Sequence, residues 1–227
     1  MMHRPLSAWI NRTHPISERF YTPGYADSPK NDWSVWLSIE EEAPLYKANK
    51  MKWIGLLKSR ELTADYLEEA GDIINGLEGG WLDSEERDWI LERLGEPPFP
   101  SLPIYLITCG DGKEEELVYV GKTENTNRFT GGHAAALKLH APEFAGKEKK
   151  IYRSTVWFHN DDEYISLDWV QPESLAVDLL DSVESHLIYN FQPKLNTTKK
   201  RKMYAKWDFH IHIQNFLKGR FLNDTFV

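Results

Sequence analysis

Two neighbouring apolar runs, Leu102-Pro-Ile-Tyr-Leu-Ile-Thr108 and Leu117-Val-Tyr-Val-Gly-Lys122, are separated by a polar segment that begins with Cys109-Gly-Asp-Gly112. β-Branched and aromatic residues favour strands, whereas Gly and Asp favour turns. The pattern therefore predicts an antiparallel hairpin with Tyr105 and Tyr119 on adjacent strands. Gly121 is expected where a side chain would crowd the neighbouring backbone.

The composition is that of a folded protein, with 227 residues of which 41% are apolar and 13% aromatic. No segment is long and apolar enough to cross a bilayer, and the start, Met1-Met-His-Arg-Pro5, lacks the apolar stretch of a secretory signal. We therefore expect a cytoplasmic protein without membrane contact. A single cysteine excludes an intramolecular disulfide and a four-cysteine zinc site.

The net charge of −8 is unevenly distributed along the chain. Residues 1–100 carry −7, residues 101–196 carry −6 and residues 197–227 carry +5. The positive charge is concentrated in Lys199-Lys-Arg-Lys202. Such a cluster indicates contacts with phosphate, so Lys199, Lys200, Arg201 and Lys202 are predicted to bind DNA. The alternative is a solvated tail that aids solubility.

Turn and breaker residues divide the chain into three predicted segments. Residues 1–100 form a mainly helical, acidic region: 1–45 are interpreted as irregular, and helices are predicted at 43–60, from 63 to the glycines 79 and 80, and from Asp83 to Gly95. Asp83 and Glu86 have the spacing of a capping box. Prolines between 97 and 103 mark the boundary with segment 101–196, and residues 197–227 form a basic C-terminal extension.

Segment 101–196 alternates predicted strands and helices. After the hairpin we expect a short helix at 133–139, strands at 151–158 and 163–170, and a long helix at 174–191. Apolar residues of the long helix recur at core spacing (Leu175, Leu179, Leu180, Val183, Leu187, Phe191). Glu184 lies on another stripe with Asp181, so its carboxylate can leave the core face.

This segment offers candidates for the groups that phosphodiester hydrolysis requires. The phenol of Tyr119 has an ordinary pKa of ~10, but Lys122 or a metal-bound water nearby would favour its phenolate. Arg128 can donate a planar pair of hydrogen bonds to phosphate oxygens. The carboxylate of Glu184 can hold a magnesium ion.

On these residues, about 102–196 of the chain resemble the GIY-YIG nucleases. The first triplet of the family corresponds to Pro103-Ile104-Tyr105, with Pro in place of Gly, and the second to Tyr119-Val120-Gly121. The residues that match the family's later site positions are Lys122, Arg128, His133, Glu184 and Asn196, with Asn190 as a rival for Asn196.

The resemblance implies an α+β fold with a small antiparallel β-sheet flanked by helices. It also implies a metal-dependent DNA endonuclease in which Glu184 holds one Mg²⁺ or Mn²⁺ ion, and Tyr105, Tyr119, Lys122, Arg128, His133 and Asn196 complete the catalytic site. Restriction, phage or mobile-element, and repair roles fit this resemblance. The alternative function is an inactive GIY-YIG-like adaptor that binds DNA or protein. DNA, a second copy of the chain and a protein bound by the acidic N-terminal region are the partners considered.

Several residues retain two interpretations. Either Tyr119 or His133 acts as the general base. Asp181 is interpreted as a surface residue, with a second metal-ligand role as the alternative. Arg128 could instead pair with an acid of the 114–116 loop, and His210 and His212 are interpreted as strand residues and not as a metal pair.

Overall fold

The computed structural model describes residues 3–16, 33–77, 80–123, 134–160, 163–219 and 221–227. Seven strands in these ranges form one sheet: β1 Ser34–Pro44, β2 Ile104–Cys109, β3 Glu116–Lys122, β4 Lys149–Asn160, β5 Glu163–Ser166, β6 His210–Asn215 and β7 Thr225–Phe226. The strand order is β3-β2-β4-β1-β6-β7, with β5 beside β4. β1 and β6 are parallel, and the other paired strands are antiparallel.

The α-helices in the described ranges are α1 Ser7–Ile10, α2 Leu56–Ile73, α3 Ser84–Leu94, α4 Ala134–Lys138 and α5 Glu173–Phe191. A mixed sheet combined with helices is compatible with the predicted α+β class. No helix in the described part of the chain is both long and apolar enough to span a membrane.

The predicted hairpin is confirmed as β2 and β3. Tyr105 lies opposite Gly121, and Ile107 lies opposite Tyr119. The register shifts after Ile107, so Val118 is an extra residue on β3. β2 pairs with β4 along its other edge, which places Tyr105 opposite Arg153.

Helix α5 covers one face of the sheet, as its apolar spacing predicts. Leu179, Leu180, Val183 and Leu187 are fully buried in a cluster that includes β-strand residues from both the hairpin and the central strands. On the opposite face, side chains of β2 and β4 pack with residues around α4. Because successive side chains of a strand point to opposite faces, each hairpin strand contributes to both clusters.

The prediction that residues 1–45 are irregular was wrong for residues 34–44, which form β1 between β4 and β6. Val35, Leu37 and Ile39 alternate along β1 and are buried in the α5-facing cluster. This period of two was present in the sequence.

The helix predicted at 43–60 was also wrong over its first part. β1 continues to Pro44, a 3₁₀ turn follows at Leu45–Lys50, and α2 begins at Leu56. α2 ends at Ile73, earlier than predicted, because Asn75 and Gly76 adopt positive φ. The capping box of α3 is confirmed: Asp83 accepts from the amide of Glu86 at 2.8 Å, and Glu86 accepts from the amide of Asp83 at 2.8 Å.

The sheet contains strands from all three predicted segments, since β1 lies within residues 1–100 and β6 and β7 lie within residues 197–227. The segment boundaries themselves stay predictions. In β6, Ile211 and Ile213 are buried, whereas His210 is exposed and His212 bonds with Asp224 at 2.9 Å. The strand interpretation of the two histidines is therefore confirmed.

Candidate functional site

The aromatic part of the candidate site lies on β2 and β3. Tyr105 is fully buried, and its ring stacks on that of Tyr119 with centroids 6.0 Å apart. A Cβ at position 121 would overlap the Cζ and hydroxyl oxygen of Tyr105. A larger residue opposite Tyr105 would force its buried ring to shift, which gives a steric reason for Gly121 in the second triplet.

The ring of Trp53 extends this aromatic row. It meets Tyr105 edge-on at 6.2 Å, and the guanidinium of Arg153 lies 4.4 Å from the centroid of the Trp53 ring. Burial lowers the pKa of Arg153 to about 10. Arg153 also donates to the carbonyl of Lys52 at 2.8 Å and pairs with Glu41. The row is thus held in place by Arg153 of β4, which is itself paired with Glu41 of β1.

Asn196 binds the outer edge of β3. Its side-chain amide donates to the carbonyl oxygen of Val120 at 2.8 Å, and its side-chain oxygen accepts from the amide of Val120 at 2.9 Å. Leu195 adds a backbone bond to Val118 at 2.9 Å. The segment after α5 therefore satisfies backbone groups of an edge strand, which would otherwise lack partners.

Asn190 occupies a different environment. It is exposed, and its side chain donates to the carbonyl of His186 in its own helix at 2.9 Å. Asn196 is 8% exposed and lies against the second triplet. Of the two rivals, Asn196 is the one that the fold brings to the hairpin.

The charged part of the candidate site lies between β3, α5 and the C-terminal segment. Lys199 Nζ lies 2.8 Å from Asp181 Oδ1 and 2.7 Å from Glu184 Oε2. Lys122 Nζ lies 3.4 Å from the same oxygen of Asp181. Asp181 and Glu184 are neighbours on α5 because residues three apart share a helix face. We call these four residues the charged cluster.

The pKa values of Asp181 and Lys199 reflect this pairing. Burial alone would raise the pKa of Asp181, but the hydrogen bond and charge of Lys199, with a further contribution from Lys122, lower it below the usual value. Burial alone would lower the pKa of Lys199, but its bonds with Asp181 and Glu184 raise it. For Asp181 and Lys199 the charged partners therefore outweigh the opposing effect of burial on the pKa.

The fold places the two parts of the candidate site on different faces of the hairpin. Tyr119 and Tyr105 pack with the cluster around α4, whereas Val120 packs with α5. Lys122 is three residues from Tyr119 on β3, so its side chain leaves the opposite face and reaches Asp181 on α5. β3 lies at the end of the sheet and joins the two parts.

Arg128 and His133 lie outside the described residues. The roles of Arg128 as phosphate ligand and of His133 as the alternative general base therefore stay predictions. The other positions of the resemblance lie on or beside the hairpin. β2 carries Tyr105, and β3 carries Tyr119, Gly121 and Lys122. Asn196 bonds to Val120 of β3, and Glu184 lies on α5 beside Asp181, the residue that Lys122 contacts.

The carboxylates of the charged cluster fit a divalent cation. Asp181 and Glu184 each direct an oxygen at the same positively charged group, Lys199 Nζ, which occupies the position of a cation between them. Mg²⁺ is commonly held by one or two carboxylates, with water completing its coordination. No group of three or more His, Cys, Asp or Glu that could hold a metal occurs among the described residues.

Lys199, Lys200 and Arg201 line an open groove of about 600 Å³, together with Asp181 and Tyr204. Arg201 and Lys202 are exposed, and Lys202 lies 5.9 Å from the centroid of the Tyr204 ring. Lys200 donates to the carbonyl of Pro193 at 2.9 Å. Lys199 alone among the four predicted DNA ligands is paired with the carboxylates of α5 in the described part of the chain.

Sequence reasoning did not identify the contact between Lys199 and Glu184, and it favoured a surface role for Asp181. The spacing of Asp181 and Glu184 on one helix stripe was the available signal. The positions of Lys122 and Lys199 beside that stripe depend on how β3 and the C-terminal segment pack on α5. Comparison with family models, curated proteins and solved structures found no significant match to this chain.

Proposed function

We propose that the chain is a Mg²⁺- or Mn²⁺-dependent DNA endonuclease of the GIY-YIG type, acting in the cytoplasm. The observation that supports the proposal most directly is the charged cluster: Lys122 of the second triplet, the carboxylates of α5 and Lys199 converge, although they are far apart in sequence. Cations and carboxylates at one point are what a site for a phosphodiester and a divalent metal needs.

In this proposal Glu184 holds the metal, with Asp181 one turn earlier as a second carboxylate. The metal, when bound, stabilises the negative charge that develops on the phosphoryl oxygens. Lys122 and Arg128 add positive charge for the same phosphate. Tyr119 lies on the other face of β3 from the charged cluster, so the proposal requires a phosphodiester bound across this edge strand. There the half-buried Tyr119, or His133 in its place, removes the proton of the attacking water. Asn196 positions Val120, and with it the strand that carries Tyr119 and Lys122.

Tyr105 packs against the residues of the second triplet. Its side chain is fully buried against Gly121 and Tyr119. In the proposed enzyme it is therefore a positioning residue for the Tyr119 ring.

The experiment is plasmid cleavage by the purified protein with Mg²⁺, in which Glu184→Gln is compared with Glu173→Gln. Glu173 lies in the first turn of α5 and outside the charged cluster, so it is a matched control. We expect Glu184→Gln to lose cleavage and Glu173→Gln to keep it. Cleavage by Glu184→Gln at the wild-type rate would contradict the assignment. Use of unmethylated DNA beside host DNA distinguishes a restriction role.

A second candidate function is an inactive adaptor that binds DNA or protein. Two observations favour it: the buried Tyr105, and Lys199 Nζ between the carboxylates that the enzyme would use for metal. An adaptor should bind duplex DNA or a protein partner with the same affinity in Mg²⁺ and in EDTA. It should cut neither the unmethylated DNA nor the host DNA. Cleavage that is lost in Glu184→Gln excludes it.

A further inference from the structure

The ammonium group of Lys199 and a divalent metal would compete for the same oxygens. Lys199 Nζ contacts Oδ1 of Asp181 and Oε2 of Glu184, and the side chains of Lys199 and Glu184 are only 17% and 13% exposed. Mg²⁺ or Mn²⁺ binds carboxylate oxygens at shorter range than an ammonium does. Two cations within a few ångströms repel each other strongly where water is partly excluded. The carboxylate pair can therefore hold the ammonium or the metal, but not both.

The main chain on both sides of Lys199 is fixed independently of this contact. Asn196 is bonded to Val120, and the carbonyl of Lys200 accepts from the side chain of Gln192 at 2.9 Å. Lys199 itself has a φ of 65°, which L residues adopt infrequently. The anchored segment thus directs the Lys199 side chain at α5. The flexible stem of the side chain can move without movement of the segment.

The open groove beside Lys199 gives its side chain a place to move. Lys199 lines that groove of about 600 Å³ with Lys200 and Arg201. In the groove the ammonium would be exposed to water. A lysine that leaves the carboxylates can therefore remain charged and hydrated there.

Resting on the proposed function, we propose that Lys199 is an internal counter-cation of the metal site. Without metal it neutralises Asp181 and Glu184, and a divalent metal binds by displacing it into the groove. The metal affinity of the wild-type protein is thus reduced by the free energy of the two ion pairs that must first be broken. This assigns Lys199 a regulatory role that the other basic residues of the segment do not share.

The test measures Mn²⁺ binding by titration calorimetry in the absence of DNA, for the wild-type full chain, Lys199→Met and Lys200→Met. Lys200 is the matched control, because it lies in the same segment and its Nζ bonds a backbone carbonyl. We expect Lys199→Met to bind Mn²⁺ on the order of tenfold more tightly than wild type. Lys200→Met should stay within about twofold, since its more distant charge is screened.

A thermal unfolding series provides the second readout. In EDTA, Lys199→Met should have a lower Tm than wild type, because Glu184 loses its ammonium partner and Asp181 keeps only Lys122. Saturating Mn²⁺ should raise the Tm of Lys199→Met by more than it raises that of wild type. Glu184→Gln combined with Lys199→Met should remove this gain.

The outcomes separate the inference from the proposed function. Equal Mn²⁺ affinity of wild type and Lys199→Met overturns the inference, and Lys199 is then a structural ion pair only. Absence of Mn²⁺ binding by both proteins overturns the inference and the metal assignment together. Tighter Mn²⁺ binding by Lys199→Met with no DNA cleavage by any variant supports the inference and overturns the endonuclease proposal.

Discussion

Asn196 forms two hydrogen bonds with one residue, Val120: its side chain donates to the carbonyl and accepts from the amide, at 2.8 and 2.9 Å. This pairing imitates a β-ladder at the edge of the sheet, and it binds the segment after α5 to the second triplet. The strand that carries Tyr119 and Lys122 therefore has a fixed position relative to α5.

Substitution of Asn196 should be costly for stability. In Asn196→Ala the amide and carbonyl of Val120 lose their partners in a buried position, and the free energy of unfolding should fall by about 1–3 kcal/mol. Urea denaturation measures this change. Asn190→Ala, which removes an exposed bond within α5, is the control and should change stability by less than about 0.5 kcal/mol. Equal losses in the two variants would contradict the role of Asn196.

Gly121→Ala should destabilise the hairpin, since the added methyl overlaps the buried ring of Tyr105. Overpacking of this kind costs about 1–3 kcal/mol. Gly219→Ala is the control, because nothing lies within 4 Å of a Cβ built there. Denaturant midpoints of the two variants give the comparison. A neutral Gly121→Ala would show that the Tyr105 ring moves aside at no cost.

The role of Tyr119 is tested by Tyr119→Phe, which keeps the ring stacked on Tyr105 and removes only the hydroxyl. If Tyr119 transfers the proton, the cleavage rate should fall by ~10²–10⁴. Single-turnover cleavage with Mg²⁺ measures the rate. An active Tyr119→Phe together with an inactive His133→Ala would assign the base role to His133.

Stability should depend on pH through Asp168, which lies in the 3₁₀ turn before α5. Complete burial raises its pKa from 3.8 to about 6, although hydrogen bonds from Ser101 and Ser166 oppose the change. The folded protein then holds a proton that the unfolded chain releases between these pH values. Stability should therefore fall as pH rises from about 4 to 6, by on the order of 3 kcal/mol.

Urea denaturation across this pH range, with Asp168→Asn beside wild type, isolates that contribution. The asparagine side chain resembles the protonated acid and does not titrate, so the fall that is due to Asp168 should disappear. Asp65→Asn, at an exposed position of α2, should retain the wild-type profile. Parallel profiles for Asp168→Asn and wild type would show that Asp168 does not titrate in this range.

The basic residues that follow Lys199 should contribute salt-dependent DNA affinity. Replacement of Lys200, Arg201 and Lys202 by alanine should weaken binding to all duplex sequences alike, because phosphate contacts do not read bases. Each lost contact should reduce the slope of log K against log salt by about 0.9. Binding is measured in a Glu184→Ala background to prevent cleavage. Unchanged slopes would support a solvated tail.

The sequence alone was sufficient for the hairpin, the capped helix α3 and the buried stripe of α5. Each of these depends on contacts between residues close in the chain or on a strong local period. The same reasoning missed β1, although Val35, Leu37 and Ile39 alternate, because flanking aromatic and proline residues obscured a strand that is stabilised by β4 and β6. Strand pairing between distant segments has no local signature.

The candidate site divides in the same way. Residue types and their order indicated Tyr119, Glu184 and Asn196, since a phenol, a carboxylate and an amide have recognisable chemistry in a familiar order. Tertiary structure alone decided that Lys199 pairs with Glu184, that Tyr105 is buried against Gly121, and that Asn196 reaches the edge of β3. Side chains from separate segments meet only when α5 packs on the sheet, and that packing depends on the shape and burial of the whole core.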